Sequence, residues 1–121
     1  MSSIDRPLSG ATLRFTLAEE RERANDTDLL ERNGRNARTL VKEGPLRVTL
    51  VVVKAGGRIA PHHADGPISV QVLDGAIRFR AAGKEHALGV GDLLVVDAGV
   101  EHAVETESGG TFLLTVVQPQ R

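Results

Sequence analysis

The sequence contains no cysteine, tyrosine or tryptophan, and its three aromatic residues are all phenylalanine. Without cysteine, neither a disulfide framework nor a thiolate metal site can form, and nothing in the cysteine content points to secretion. The shortage of aromatic rings also leaves no platform on which nucleic-acid bases could stack. The interior therefore has to be filled by aliphatic side chains.

An excess of charge of one sign is missing as well. Fifteen Lys and Arg residues against sixteen Asp and Glu residues leave a net charge of −1, so no overall field attracts a polyanion and nucleic acid is not an expected partner. No uninterrupted apolar run is longer than residues 50–53, and that length is far below what is needed to span a membrane. Residues 1–10 lack the apolar core of a signal peptide. We expect a soluble protein of the cytoplasm that does not associate with membranes.

The length and composition predict one globular domain. The chain has 121 residues, of which 40% are hydrophobic and 26% charged, enough to form one core and too few to form two. We expect residues 1–36 to comprise a loose leader over residues 1–10, a short strand over residues 13–17 and a polar loop over residues 19–36. Residues 37–121 are expected to form the folded domain.

Short runs rich in aliphatic residues follow, separated by turn signals such as Asp74-Gly75 and Gly109-Gly110. No segment after Asn36 has helical periodicity longer than a turn or two, which argues against βαβ units and a nucleotide-binding parallel sheet. The pattern predicts an all-β antiparallel sandwich or barrel. The predicted strands cover residues 37–41, 46–54, 68–73, 76–81, 93–96 and 111–117.

Three of the four histidines lie in two blocks that begin with glycine. The first block runs from Gly56 through His62 and His63, and the second runs from Gly91 to His102. Histidine carries protons near neutral pH and ligates metals more often than any other side chain. These blocks are therefore the only constellation in the sequence that suggests chemistry.

The two blocks resemble the signature motifs of the cupin family, and the match covers residues 46–117. The first family motif has Gly, five residues, His-x-His, a Glu a few residues on, and Gly; the second has Gly, five residues, Pro-x-Gly, two residues, and His. The resemblance implies an antiparallel double-stranded β-helix, that is, a jelly-roll barrel. The matching residues are Gly56, His62, Gly75, Gly91, Gly99 and His102.

The chain departs from the family pattern at three positions. Ala64 stands in place of the second histidine, Ile68 in place of the glutamate, and Asp97 in place of the proline. Two of the four metal ligands that the resemblance implies therefore lack donor atoms. Because His62 and His102 alone bind weakly, we expect no tightly bound metal and at most weak binding of a divalent cation.

The alternation of side chains along a strand suggests what lies beside the histidines. If His62 faces the barrel interior, His63 points the opposite way and the first block presents apolar surface where an acid would be needed. We predict a mainly apolar pocket for a small organic ligand. Its residues are His62, Ala64, Ile68, Val70, Val72 and His102.

Several roles remain open for the titratable residues. His62 and His102 either hold a metal together with water, act as a general acid and base, or are partly buried, hydrogen-bonded histidines in a pocket that binds a small molecule or nothing. We interpret His63 as a surface or interface residue and His86 as an exposed strand residue. Asp97 is expected to stabilise a turn rather than to provide a third ligand.

Two predicted strands, residues 46–54 and 111–117, are apolar on both faces. The barrel interior covers one face, and a second subunit is an economical cover for the other. We therefore expect a homodimer that buries Val51 or Val53 and part of the C-terminal strand.

The sequence supports one functional prediction and two alternatives. The first is a small-molecule-binding cupin with a degenerate metal site and a substrate that the sequence does not identify. A metal-dependent enzyme, such as a dioxygenase or isomerase that uses His62 and His102, is the first alternative. The second is a structural or regulatory dimer without a ligand.

Overall fold

The structure is a computed structural model that describes residues 7–119. Within this range, no helix is long and apolar enough to cross a membrane. The elements are α1 (Leu17–Ala24), α2 (Thr27–Asn33), β1 (Arg35–Glu43), β2 (Leu46–Val53), β3 (Arg58–His62), β4 (Ile68–Ala81), β5 (Lys84–Gly89), β6 (Leu93–Val96), β7 (His102–Glu105) and β8 (Gly110–Val117).

All strand pairs are antiparallel, and the strands form two sheets that share β4. The first sheet contains β1, β2, β8, the first half of β4 and β6. The second contains the remaining half of β4, flanked by β5 and β7, with β3 beyond β7. Because one strand runs through both sheets, they curl around a common interior. The expected all-β jelly-roll architecture is confirmed.

The long strand β4 corrects one prediction. Asp74-Gly75 suggested a turn between two strands, but the chain continues through this point with a bulge between Val72 and Asp74. Gly75 has a φ of 69°, and a side chain there would collide with the carbonyl oxygen of Gly109. Glycine at this position therefore permits a bulge and a close backbone approach rather than a reversal of the chain.

The barrel interior is filled by aliphatic residues and two phenylalanines. Val70 and Phe79, both on β4, are among the most deeply buried side chains of the described chain. This cluster is the main core, and it includes the inward faces of both sheets. Its buried members are Val51, Val53, Ile68, Val70, Val72, Ile77, Phe79, Ala81, Leu88, Val96, Val104 and Phe112.

The N-terminal segment differs from the prediction. Residues 13–16 form no strand, Leu17 begins α1, and residues 19–36 contain most of α1, all of α2 and the start of β1 rather than a loop. The side chain of Asp26 caps α2 by accepting a hydrogen bond from the Leu29 amide, and Gly34, with a φ of 77°, ends it. Residues 1–6 of the predicted leader lie outside the described residues.

These helices cover the second apolar face of β2. Leu50 and Val52 pack with Ala24 and Leu30 from the helices in a second core cluster. Val51 and Val53 face the barrel interior and are 6% and 1% exposed. The interface predicted at Val51 or Val53 is therefore wrong, because one chain covers both faces of β2 by itself. The homodimer as such stays a prediction.

A buried carboxylate joins α1 to the sheet. Glu20 is 3% exposed, and its Oε1 accepts a hydrogen bond of 2.7 Å from Arg38 of β1. Its Oε2 accepts another of 3.0 Å from Arg23. Since a buried charge is tolerated only when it is paired, these contacts fix where α1 lies on the strand.

Candidate functional site

Two neighbouring strands of the second sheet bring the two motif histidines together. His62 is the last residue of β3, His102 is the first of β7, and the two are register partners after a bulge that follows Ile59. Their Nε2 atoms lie 3.1 Å apart. Residues forty positions apart in sequence thus form one pair at the rim of the barrel.

Each ring is fixed by a backbone carbonyl two residues earlier. The Nδ1 of His62 lies 2.9 Å from the Ala60 oxygen, and the Nδ1 of His102 lies 3.1 Å from the Val100 oxygen. A carbonyl oxygen only accepts, so each Nδ1 carries the proton and donates it. In a neutral ring the Nε2 then has a free lone pair. Two acceptors therefore meet, and an N–H···N bond between them requires protonation of one ring.

The rings meet edge to face rather than end to end. Their centroids are 4.3 Å apart, and the ring planes form an angle of 69°. Two rings whose Nε2 atoms pointed directly at each other across 3.1 Å would have centroids farther apart than this. The two Nε2 lone pairs therefore do not point straight at each other.

The two histidines differ in their surroundings. His102 is 5% exposed and stacks on Phe79 of β4, with centroids 5.4 Å apart, whereas His62 is exposed. Burial lowers the pKa of His102 below its ordinary value of 6.5. The hydrogen bond to Val100 opposes this change, and the positive charges of His62 and His63 add to it. Neutral imidazole is the favoured form of His102 near pH 7.

The other predicted pocket residues lie in or against the main core. Ile68, Val70 and Val72 are at most 4% exposed and belong to the main core, while Ala64 is partly buried and packs against it. Ile68, Val70 and Val72 therefore help to fill the barrel interior. A ligand pocket formed by all six residues stays a prediction.

The remaining candidates do not join the pair. His63 is exposed beside it, and His86 lies in β5, where it is half-buried rather than exposed as predicted. The Asp97 carboxylate accepts a hydrogen bond of 2.8 Å from the amide of the next residue, Ala98. Asp97 therefore stabilises its own turn, as its position before glycine suggests.

The pair does not form a complete metal centre. Two nitrogens bound at about 2.0–2.1 Å to one ion are roughly 3 Å apart, which the separation of His62 and His102 matches. Ala64 and Ile68, however, supply no donor atoms. No group of three or more metal-ligating side chains occurs in the described part of the chain. The residues present fit two ligands of a site and not the whole of it.

Sequence analysis missed three contributors to this geometry. Phe79 could have been recognised, since it alternates with Ile77 and Ala81 along an apolar strand face. The carbonyls of Ala60 and Val100 could not, because a backbone hydrogen bond to a side chain depends on the local chain path and not on residue type.

The cavities lined by the described residues are a second indication of where a ligand could bind. One of about 230 Å³ adjoins His102 and is lined mainly by the β4–β5 turn and the chain leading into β7. A larger one, about 840 Å³, lies between α1 and the turns that follow β2 and β7, and no histidine lines it. We place the candidate site at the histidines because paired acceptors, not volume, indicate chemistry.

Comparisons with known proteins agree with this architecture. The family model described as "Cupin domain" matches residues 49–118, more than half of the chain. A conserved protein of unknown function from Streptococcus pyogenes has a similar structure (TM-score 0.69, 24% identity), and the match covers 100% of this chain and 98% of that one. No curated protein matches the chain.

Two further solved structures resemble the barrel. A cupin 2 conserved barrel domain protein from Leptotrichia buccalis is 32% identical with a TM-score of 0.66, over 69% of this chain and 41% of that one. A predicted oxalate decarboxylase from Thermotoga maritima is 19% identical with a TM-score of 0.64, over 70% and 81%. The extent of the family match, together with the jelly-roll topology, establishes that the chain belongs to the cupin family.

Proposed function

We propose that this cupin binds a small hydroxylated organic molecule at the His62–His102 pair and holds no metal tightly. The observation that carries the proposal is the 3.1 Å separation of two Nε2 atoms whose rings both donate Nδ1–H to carbonyl oxygens. With both rings neutral, the site presents two adjacent acceptors and no donor. A complementary ligand brings two adjacent donors.

Hydroxyl groups on neighbouring carbons have this arrangement. Each O–H donates to one Nε2, and we expect the apolar carbons of the ligand to lie against Ala64 and Val100, which are partly buried and pack against the main core. Donors that satisfy both nitrogens also remove the repulsion between two adjacent lone pairs. A vicinal diol is therefore favoured over a molecule with a single hydroxyl.

The ring nitrogens report directly on such binding. We expect nitrogen-15 NMR to show saturable shifts of both Nε2 signals when cis-1,2-cyclohexanediol is added above the ordinary pKa of histidine, and smaller shifts with cyclohexanol. His102→Ala should abolish the response of His62, whereas Glu85→Ala, at an exposed position of β5 beside Arg80, should preserve it. Equal responses to the two alcohols, or no response at either ring, would contradict the proposal.

The Nε2 separation also supports the alternative of a metal-dependent enzyme, such as a dioxygenase or isomerase. His62 and His102 would hold the ion as adjacent ligands, and a further ligand would have to come from elsewhere. Elemental analysis of untagged protein decides between the two. About one transition-metal ion per chain, lost in His62→Ala and in His102→Ala, would favour the enzyme.

A structural or regulatory role without a ligand is the third possibility. It gains weight if neither diols nor metals bind while the protein still associates with itself. We also propose a cytoplasmic location and a homodimeric state. The location rests on the absence of cysteine and of any long apolar run, and the dimer on exposed hydrophobic side chains of the first sheet such as Leu93 and Val95.

A further inference from the structure

A cavity of about 840 Å³ lies between α1 and one end of the first sheet, apart from the histidine pair. We call it the α1 cavity; its walls include Glu22 of α1, Lys54, Asp74 and Ser108. Its volume is within the range of sites that hold small organic molecules. His102 begins β7, whereas Ser108 lies in the turn after the end of that strand. The α1 cavity and the histidine pair are therefore separate features of the molecule.

Three neighbouring strands form the floor of the α1 cavity. Val52 of β2 pairs with Thr111 of β8, and Thr111 pairs with Asp74 of β4. Paired residues of antiparallel strands point to the same side of the sheet, so these three side chains share the face on which Val52 packs with the helices. The side chain of Thr111 is therefore directed toward α1 and into the cavity that it lines.

Thr111 has a buried hydroxyl group without a hydrogen-bond partner in the described chain. The residue is 6% exposed, and no described donor or acceptor lies within hydrogen-bond distance of its Oγ1. Thr106 is similarly buried, but its hydroxyl donates to the Ala76 oxygen and accepts from the Gly109 amide. A buried polar atom without a partner is costly and rare in native proteins. The Thr111 hydroxyl therefore indicates a position where a bound molecule supplies the partner.

Two cations line the α1 cavity, and both have acidic partners. Arg21 of α1 lies 3.3 Å from Asp74 at the β4 bulge, so this ion pair joins the helix to the floor of the cavity. Lys54 lies 3.9 Å from Glu31 of α2. An anionic ligand would have to compete with these carboxylates for either cation.

Two further carboxylates line the cavity without such a partner. Glu19 and Glu22 lie three residues apart on α1, which makes them neighbours on the helix surface. Neither has an ion-pair partner among the described residues. Because a carboxylate only accepts hydrogen bonds, its complement is a positively charged donor. The charge of the α1 cavity therefore favours a cation.

We propose that the α1 cavity binds a small aliphatic ammonium compound of the short alkyl diamine class. One ammonium group donates to Glu19 and Glu22 on the helix. The second donates to the hydroxyl of Thr111 beside Asp74 on the sheet, and the hydrocarbon chain between them contacts Val52. A diamine is favoured over a monoamine because the acceptors lie on two opposite walls, and an ammonium group only donates.

Calorimetric titration of the full chain with 1,4-diaminobutane tests the proposal. We expect saturable binding that weakens as the salt concentration rises from about 20 mM to about 300 mM. Succinate and 1,4-butanediol, which have the same number of carbons and no positive charge, should not bind. No saturation by the diamine up to about 10 mM would overturn the proposal, and so would equal binding of either uncharged or anionic compound.

NMR of the backbone amides locates the bound diamine. The largest shifts should occur at Ala55, Ser108 and Gly109, which line the α1 cavity. Shifts centred on His62 and His102 would overturn the proposal, because they would place the diamine at the other end of β7.

Three variants test the assigned contacts. Glu19→Gln with Glu22→Gln should weaken diamine binding about tenfold, because it removes both unpaired charges. Thr111→Val should weaken it about threefold without lowering the thermal midpoint, since a methyl group replaces an unsatisfied buried hydroxyl. Glu85→Gln makes the same charge change on β5, in the second sheet, and should leave affinity unchanged. Wild-type affinity in the Glu19/Glu22 variant, or an equal loss in Glu85→Gln, would contradict the assignment.

Discussion

At the scale of single residues, the site depends on which nitrogen of each histidine is free. The carbonyls of Ala60 and Val100 hold the two Nδ1 protons, so His62 and His102 present lone pairs to one another. The resemblance to the family motif implies further ligands at Ala64 and Ile68, and neither side chain has a donor atom. The same two residues indicate how a metal site could be restored.

Ala64→His together with Ile68→Glu is expected to increase zinc affinity by at least tenfold, because it supplies the two missing ligands. Ile68 is 4% exposed, so the unliganded variant should lose stability through the buried carboxylate and regain it when zinc binds. Calorimetric titration and thermal midpoints with and without zinc measure both effects. Ala64→Ser with Ile68→Gln is the control, and a similar gain in affinity there would contradict the ligand assignment.

Stability should fall as the solution is acidified, because of His102. Burial lowers the pKa of the folded His102 below the ordinary 6.5 of the unfolded chain. The unfolded state therefore binds more protons between these two pKa values, and the free energy of unfolding decreases as pH falls through that window. Denaturant titrations from about pH 8 to about pH 5 measure it.

The comparison of variants isolates this contribution. His102→Asn should have a flatter stability profile than the wild type in that window. Identical slopes for the two proteins would show that His102 has the same pKa in the folded and unfolded chain.

At the scale of secondary-structure elements, the helices determine which strand faces are buried. Leu50 on β2 is fully buried, and the cluster around it joins the sheet to α1 and α2. The sequence contained the evidence for a second covered face, since β2 is apolar on both sides. The sequence did not identify the two helices as the elements that cover this face, because α1 and α2 have few apolar residues among many charged ones.

Replacing Leu50 by Ala is expected to cost about 2–5 kcal/mol, through lost burial and a residual cavity. Val95→Ala, at a position that is 67% exposed, should change stability by less than about 0.5 kcal/mol in the monomer. Chemical denaturation of both variants gives the two values. A small effect of Leu50→Ala would mean that the helices do not pack firmly on β2.

At the scale of the whole molecule, the N-terminal segment is part of the folded unit. A fragment of residues 37–121 was expected to be a complete domain, yet it would expose Leu40, Val41, Leu50 and Val52, which now pack with the helices. We expect this fragment to aggregate or to lose cooperative unfolding, measured by dye binding and thermal melts against the full chain. An unchanged midpoint would restore the original boundary at residue 37.

The amino-acid sequence by itself determined the all-β class, the central strands and the two histidines that meet. Alternating apolar residues, turns marked by glycine and two motifs with defined spacing are local signals, and they can be recognised from the sequence alone. The tertiary structure alone decided what lies against each face: the helices over Leu50, the ring of Phe79 under His102, and nothing over Leu93 and Val95. Which surfaces meet depends on the path of the whole chain. The local sequence pattern around a residue does not show which distant residues pack against it.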